Sequence, residues 1–366
     1  MAQPRAVEKA ADMARKIYNP IGFSKFYNFV LFFIFGGALL GFTLARFQYL
    51  SFDHGLCPQG GGTLDCYYYT PGSLDKIGIQ IHLSAILPAS FLAVFQFVPV
   101  IRHKLLLFHR VNGYLIVLLS IVSTAGALML VRNAQGGPIE TQLGIGVLSF
   151  MFIVSLGLAV HNVKRLQIEQ HRAWMLRAWS YAGSIVTMRL VMMAIAHVLG
   201  NYEHLGKGYS HAMPCVKVTY LMFGQVERIL EKYPACAQFF DGSVPGKAVA
   251  VTADVNGDLA ELTALYNMIF GAAFWLSVAL HAAGVEIYVS VFSIIDTQLH
   301  LTPAEAERLR NVSYQRQLEA GMKKPGRAGL TADRLGDSPP WAPKSTVSVA
   351  ARGSGDTVSN EHLTAK

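Results

Sequence analysis

Six runs of apolar residues, each long enough to cross a bilayer, dominate the chain. At 1.5 Å rise per residue a helix needs about 20 such residues to span the hydrocarbon. The runs are 29–45, 77–101, 111–131, 142–163 and 174–199, with an over-long sixth at 263–295. The sixth is expected to leave the membrane near Glu286, giving a span of 263–288. In lipid only helices and closed barrels satisfy their own backbone, and no period-2 alternation supports a barrel. The expected fold is therefore an all-α polytopic membrane bundle of six transmembrane spans. Charged residues make up only 15% of the 366, against about 25% in soluble domains. That deficit excludes a pair of ordinary soluble domains, which could not clothe their surfaces. The first run lies behind a polar stretch with no small-residue cleavage site, so it reads as an anchor rather than a removed signal.

Lys and Arg in the short flanks set the orientation. One side collects twelve: Arg5, Lys9, Arg15, Lys16, Lys25, Arg102, Lys104, Arg110, Lys164, Arg165, Arg172 and Arg177. The short connections of the other side carry three: Arg46, Lys76 and Arg132. This predicts cytoplasmic N- and C-termini. The chain then divides into a basic N-terminal segment (1–27), a membrane domain (28–295) with outer loops at 51–76 and 200–262, and a cytoplasmic tail (296–366). The tail opens on a capped helical piece at Thr302-Pro-Ala-Glu305 and then turns Pro-, Ser- and Gly-rich, the composition of disorder. The net charge of +8 sits largely on tails and flanks that face anionic lipid. Membrane lipids are thus the expected partners and nucleic acid is not; the oligomeric state is left open.

All four cysteines, Cys57, Cys66, Cys215 and Cys236, fall in the outer loops, where an oxidising luminal or extracellular compartment preserves disulfides. The expected pairs are Cys57–Cys66 and Cys215–Cys236, each within one loop, although spacing alone leaves the cross-pairing open. Without CxxC or Cys/His finger spacing these residues do not read as a zinc site. Asn311-Val-Ser313 matches a glycosylation sequon on the side where it is expected to stay unmodified. Within the long loop, residues 218–232 carry Val218, Leu221, Met222, Val226, Ile229 and Leu230 at helical spacing, opposite Glu227, Arg228 and Glu231. This predicts one amphipathic helix on the outer surface. It is either part of a stapled loop or a lid over an outer cavity.

Ionisable groups inside spans are costly and are functional candidates by default. Helical phase puts His171 and Arg189 on one face of the fifth span, His109 with Ser120 and Ser123 on the third, and His82 with Ala85, Ala89 and Gln96 on the second. Small-residue stripes also arise simply because membrane helices use them to approach closely. The alternative is a shared polar groove. His109 and His171 have matched depth at the cytoplasmic ends and could ligate the iron of a b-type haem, with Arg177 and Arg189 as propionate partners. His82 and His197 form a corresponding outer pair. Glu286, five residues after His281, is the one carboxylate placed to act as an acid or base in the membrane.

The order of residues then becomes informative. His82 is followed by Gln96-Phe97, by His109-Arg110-Val-Asn-Gly113-Tyr114, by His171-Arg172-Ala-Trp174-Met175-Leu-Arg177, and by Arg189. This pattern resembles the multi-pass membrane family known as domain of unknown function 2306, over about residues 77–200. The resemblance implies a helical membrane protein and supplies no activity. It gives weight to His82, Gln96, His109, His171, Arg172, Trp174, Arg177 and Arg189 over His161, His197 and His281. That costs the outer haem its second ligand, and three histidines are an awkward number for two bis-His haems.

Three functions remain open. The first is membrane redox or haem binding, with His109 and His171 as ligands and His82, Gln96, Arg177 and Arg189 lining the groove. The second is an intramembrane enzyme of cyclase or isomerase type acting on a lipophilic intermediate, with His82, Arg189 and Glu286 as candidate catalytic residues. The third is a non-catalytic scaffold or carrier.

Overall fold

The computed structural model describes residues 15–23, 26–58, 65–165, 167–201 and 208–291. Six helices are long and apolar enough to cross a membrane. Five come in succession: α1 (Phe26–Leu50), α2 (Leu74–Gln96), α3 (Leu106–Met129), α4 (Ile139–Lys164) and α5 (Ile168–Asn201). Two short helices, α6 (Cys215–Leu221) and α7 (Val226–Lys232), precede the sixth, α8 (Leu259–Glu286). The spans alternate direction. One end of the bundle, here the loop end, bears both cysteine-containing loops; the other, the basic end, bears the short Arg- and Lys-rich connections. The expected tail, with its sequon and Thr302 cap, lies outside the described residues, as does most of the N-terminal segment.

Local chemistry sets the helix limits. The Ser73 side chain caps α2 by accepting from the Lys76 N–H at 3.1 Å, and Asp258 with Glu261 forms a capping box at the start of α8. Most boundaries shift by a few residues from expectation, and two of the shifts have a clear local cause. The second span stops at Gln96 rather than continuing to residue 101. Val98 precedes Pro99, whose ring forces it into extended backbone (ψ 115°), and a separate short helix follows at Pro99–Lys104. The sixth begins at Leu259, four residues early, because its cap lies at Asp258.

Packing runs chiefly through three pairs: α2 on α3, α4 on α5, and α5 on α8. Helices α2 and α3 meet where Gly78 and Gly126 face each other. A Cβ on either would come within 2.7 Å of the other's carbonyl oxygen, so these small residues permit backbone contact. Farther in, Ala93, Ile116, Phe152, Leu156, Ala178 and Trp179 bring α2, α3, α4 and α5 into one buried layer. Side chains such as Phe33, Leu107, Ile139, Phe150 and Leu280 point outward and are exposed. For a bundle of this kind lipid is the medium that covers them.

The 200–262 connection holds a small folded unit that periodicity did not disclose. Strand β1 (Ser210–Pro214) pairs antiparallel with β2 (Ala248–Thr252), His211 facing Val251. Around it pack α6 and α7, and its core of Met213, Val218, Leu221, Ile229 and Val251 reaches Ala260 and Ala264 of α8. The single helix expected at 218–232 is therefore corrected to two. Phe223 (φ 54°) and Gly224 (φ 71°) take left-handed backbone, and the Gly224 N–H returns to the Thr219 carbonyl at 2.9 Å, a Schellman-type ending. The apolar stripe faces this core, not the outer surface. Both expected disulfides, Cys57–Cys66 and Cys215–Cys236, are formed.

Candidate functional site

The structure distributes the sequence-derived candidates over three places. Near the loop end of α2, the His82 ring lies against α3, its Nδ1 2.9 Å from the Ser123 hydroxyl and 3.0 Å from the Ser123 carbonyl. This is one turn from the Gly78–Gly126 crossing, so His82 acts as a clamp between two helices. His281 does similar work between α8 and α5, its Nε2 lying 2.7 Å from the Thr187 hydroxyl.

At the basic end sit Gln96, His109, His171, Arg177 and Glu286. The Arg177 guanidinium grips Glu286 at two points, Nε to Oε1 at 2.6 Å and Nη2 to Oε2 at 2.9 Å, and lies 4.6 Å from the Trp174 ring centroid. Arg177 thus already has an anion. Glu286 is not brought to Arg189, which lies twelve residues, or about 18 Å, farther along α5. The proposed trio of His82, Arg189 and Glu286 does not converge. His171 Nδ1 donates to the Ala159 carbonyl at 2.9 Å, which fixes the tautomer and leaves Nε2 as an acceptor. That suits one axial ligand of a haem. The partner expected on α3, His109, has the right depth, but α3 and α5 make no extended contact with each other; α4 lies between them. The buried Nε2 of Gln96 has no hydrogen-bond partner among the described residues.

A third group, at the loop end, combines Arg189 with residues that were not anticipated. Lys217, in the first turn of α6, is 1% exposed and Asp65 is 8% exposed. The ammonium donates to the Tyr68 hydroxyl at 3.4 Å and lies 4.6 Å from the centroid of the same ring. Asp65 Oδ2 accepts from the Gln135 backbone N–H at 3.2 Å and from its side-chain amide at 3.1 Å. Its Oδ1 is buried and has no hydrogen-bond partner among the described residues. Gln135 holds a positive φ of 51° in the α3–α4 turn, where Gly136 fits closely because a Cβ there would lie 2.6 Å from the Asn267 amide. Asn133 of this turn bonds Asp75 of α2 at 3.0 Å. The site is thus built from both cysteine loops and the α3–α4 turn. Contact between the two loops is extended by Tyr67 packing edge-on against Tyr220 of α6 at 5.5 Å.

Burial governs the chemistry of this group. It pushes the Asp65 carboxyl above the usual carboxylate range, an effect that Lys217 opposes. It pulls the Lys217 ammonium down and, together with Lys217, His211 below the usual imidazole range. Tyr68 is pushed up to about 12 by burial and by Asp65, and Tyr69 is also raised, so both remain neutral hydroxyl donors. Arg189 completes the group from α5. It lies 3.8 Å from the Met192 sulfur and 5.7 Å from the Phe270 ring centroid, and Asp65, Arg46, Tyr49 and Tyr69 are its charged and polar neighbours. Asp65, Tyr68 and Tyr69 of this group also line a small crevice with Asp75 and Asn133. An acid, an amine and neutral hydroxyls in a dry setting can exchange protons with a bound molecule and steady negative charge on it.

Asp65 and Lys217 have one shared sequence signal, visible in retrospect. Asp65 directly precedes the half-cystine Cys66, and Lys217 follows the half-cystine Cys215 by two. Among the described residues no group of three or more His, Cys, Asp or Glu side chains is placed to hold a metal.

Residues 79–214 match the family model described as predicted membrane protein, DUF2306. The match contains the His and Arg motifs from which that resemblance was read, together with Gln135 and Arg189, while Asp65 and Lys217 lie outside it. A curated relative, Ava biosynthesis cluster protein G of Aspergillus versicolor, is 24% identical over 333 residues, covering 76% of this chain and 93% of the relative. No solved structure matches the chain. With six apolar helices and this match, the chain is an integral, multi-pass membrane protein similar to the DUF2306 proteins.

Proposed function

We propose that the chain is a membrane enzyme that performs acid–base chemistry on a lipophilic small molecule at the loop end of the bundle. The observation that carries this reading is the Lys217–Asp65 pair. A lysine 1% exposed donates to a tyrosine hydroxyl and interacts electrostatically with a buried carboxyl, one oxygen of which has no hydrogen-bond partner among the described residues. Burial of charges without direct partners destabilises a fold, and such arrangements cluster where chemistry is done. Asp65 transfers the proton, Lys217 and Arg189 steady negative charge on the substrate, and Tyr68 donates a hydrogen bond. The α6–α7 unit roofs the site. A relative named for a biosynthesis cluster supports small-molecule synthesis as the setting. The basic flanks support an orientation with the loop end outside the cytoplasm.

The test replaces the gene in its source organism with wild type, Asp65→Asn or Lys217→Met and compares lipid-soluble extracts by mass spectrometry. Both variants should lose one product and accumulate its precursor while the protein stays in the membrane. Unchanged extracts from both would eliminate the enzyme and favour a scaffold or carrier. A second reading, a b-type haem at the basic end, draws support from the Nδ1 bond that leaves His171 Nε2 free to ligate. Here His171 would hold the iron and the haem would supply one-electron chemistry. A reduced-minus-oxidised spectrum decides it: a b-type α-band abolished by His171→Ala supports haem, and a colourless wild-type protein removes it.

A further inference from the structure

We infer that the molecule handled at the loop end carries an oxyanion head group, a carboxylate or phosphate, held between Arg189 of α5 and Arg46 of α1. This deepens the acid–base reading and rests on it for the location of the substrate; it gives Arg189 a second cation, Arg46, as its partner.

Arg189 lies within a span, and a guanidinium there has five N–H donors to satisfy. The contacts of its head are a thioether at 3.8 Å and an aromatic face at 5.7 Å. Neither is an anion, and among the described residues its head forms no ion pair with a carboxylate. Arg46, where α1 reaches the loop end, is in the same condition. It stacks over Phe42 at 4.5 Å and lies 5.7 Å from the Tyr49 centroid. The two guanidiniums repel each other. Asp65, the carboxyl in their neighbourhood, is held by Gln135 and tends toward its neutral form. Two cations are thus gathered beside each other with no ion-paired carboxylate among the described residues, an arrangement that costs stability unless a ligand supplies an anion.

Tyr49, whose ring centroid lies 5.7 Å from the Arg46 guanidinium, and Tyr69 are polar neighbours of Arg189. Arginine matches carboxylate and phosphate through its planar fork. The flank of this place is lipid: α1 packs on α2 and touches α5 only lightly. The exposed Leu190 beside Arg189, and Leu44 beside Arg46, belong to that lipid-facing surface. A head group anchored at Arg189 and Arg46 would let its alkyl or prenyl body lie along α1 and α5, and would bring the adjoining carbons toward Asp65.

The test measures binding of radiolabelled oleate, oleyl phosphate and oleyl alcohol to the purified full-length protein in detergent by scintillation proximity. Oleate or oleyl phosphate should bind saturably and the alcohol at least about tenfold more weakly. Arg189→Gln and Arg46→Gln should each weaken the anionic probe by about tenfold or more, with Arg189→Lys retaining part of the affinity and serving as a folding control. Alcohol binding as tightly as oleate, or wild-type affinity in both glutamine variants, overturns the inference. Inorganic phosphate competing as well as oleyl phosphate would overturn the lipophilic part of it. Asp65→Asn separates the two readings. Bound anion with an unchanged product profile breaks the acid–base role alone, and lost product without anion binding breaks this inference alone.

Discussion

At the basic end, Arg177 and Glu286 meet through two hydrogen bonds, and the Glu286 side chain is 48% exposed. At the loop end, Lys217 and Asp65 are both withdrawn from solvent, yet no ion pair joins them among the described residues. One end neutralises its charges pairwise where water can reach; the other keeps them apart where it cannot. Paired, half-exposed charges contribute little to stability, and their separation would change little. Unpaired buried charges are a standing cost that packing elsewhere must offset, and the rigidity needed for that offset is supplied by two disulfides.

The largest expected effect follows from removing that support. Cys215→Ser should destabilise the loop-end unit by about 2–4 kcal/mol. Limited proteolysis should then cut between residues 208 and 258 while the spans stay protected. Simultaneous loss of both ends would show that the comparison has no structural basis. Next comes Lys217→Met, which keeps the side-chain length and removes an unpaired buried cation. It should raise thermal stability by about 1–3 kcal/mol while abolishing product formation; a loss of stability would mean that the ammonium has a compensating anion after all.

Asp65 gives a pH signature of smaller size. Its folded-state carboxyl is raised, so the folded chain binds the proton more tightly than the unfolded chain does. Its contribution is therefore present below the unfolded pKa of about 4 and is lost as pH rises through the folded value. The melting-temperature difference between wild type and Asp65→Asn should fall as pH is raised from about 4 to 7. A constant difference would place Asp65 in water. Smallest of all, Glu286→Gln should cost about 0.2–1 kcal/mol and respond to salt; a cost comparable to that of Cys215→Ser would make the basic end the structural anchor.

The spans were legible because a bilayer demands a continuous stretch of apolar residues, and a run such as 142–163 has no other use. The cysteine pairs followed from compartment and from membership of one loop. Span ends were less so, since Val98 and Asp258 act through backbone and cap chemistry that a hydropathy run does not register. The hairpin was missed although Ala248–Thr252 alternates buried and exposed positions, because five residues of Ala, Val and Thr within a loop are too short a period to separate from a helix. Of the site, Arg189 stood out as a charge inside a span. Lys217 did not: its hydrogen-bond partner Tyr68 is 149 residues away in sequence, and no local pattern encodes a contact between two loops. His82 was noticed for the right reason, a polar ring on a small-residue stripe, but that stripe proved to be the seam between α2 and α3.

The placement of the half-cystines has a consequence for how the protein matures. Cys66 adjoins Asp65, and Cys215 stands two residues from Lys217. The spans can insert and pack by apolar contact alone, whatever the redox state of the loops. The two segments that present the acid and the amine are pinned only once each bridge has closed. A chain held in a reducing environment would thus be a complete bundle with an unfinished site, and the arrival of oxidant, not insertion, would mark the moment at which it becomes competent.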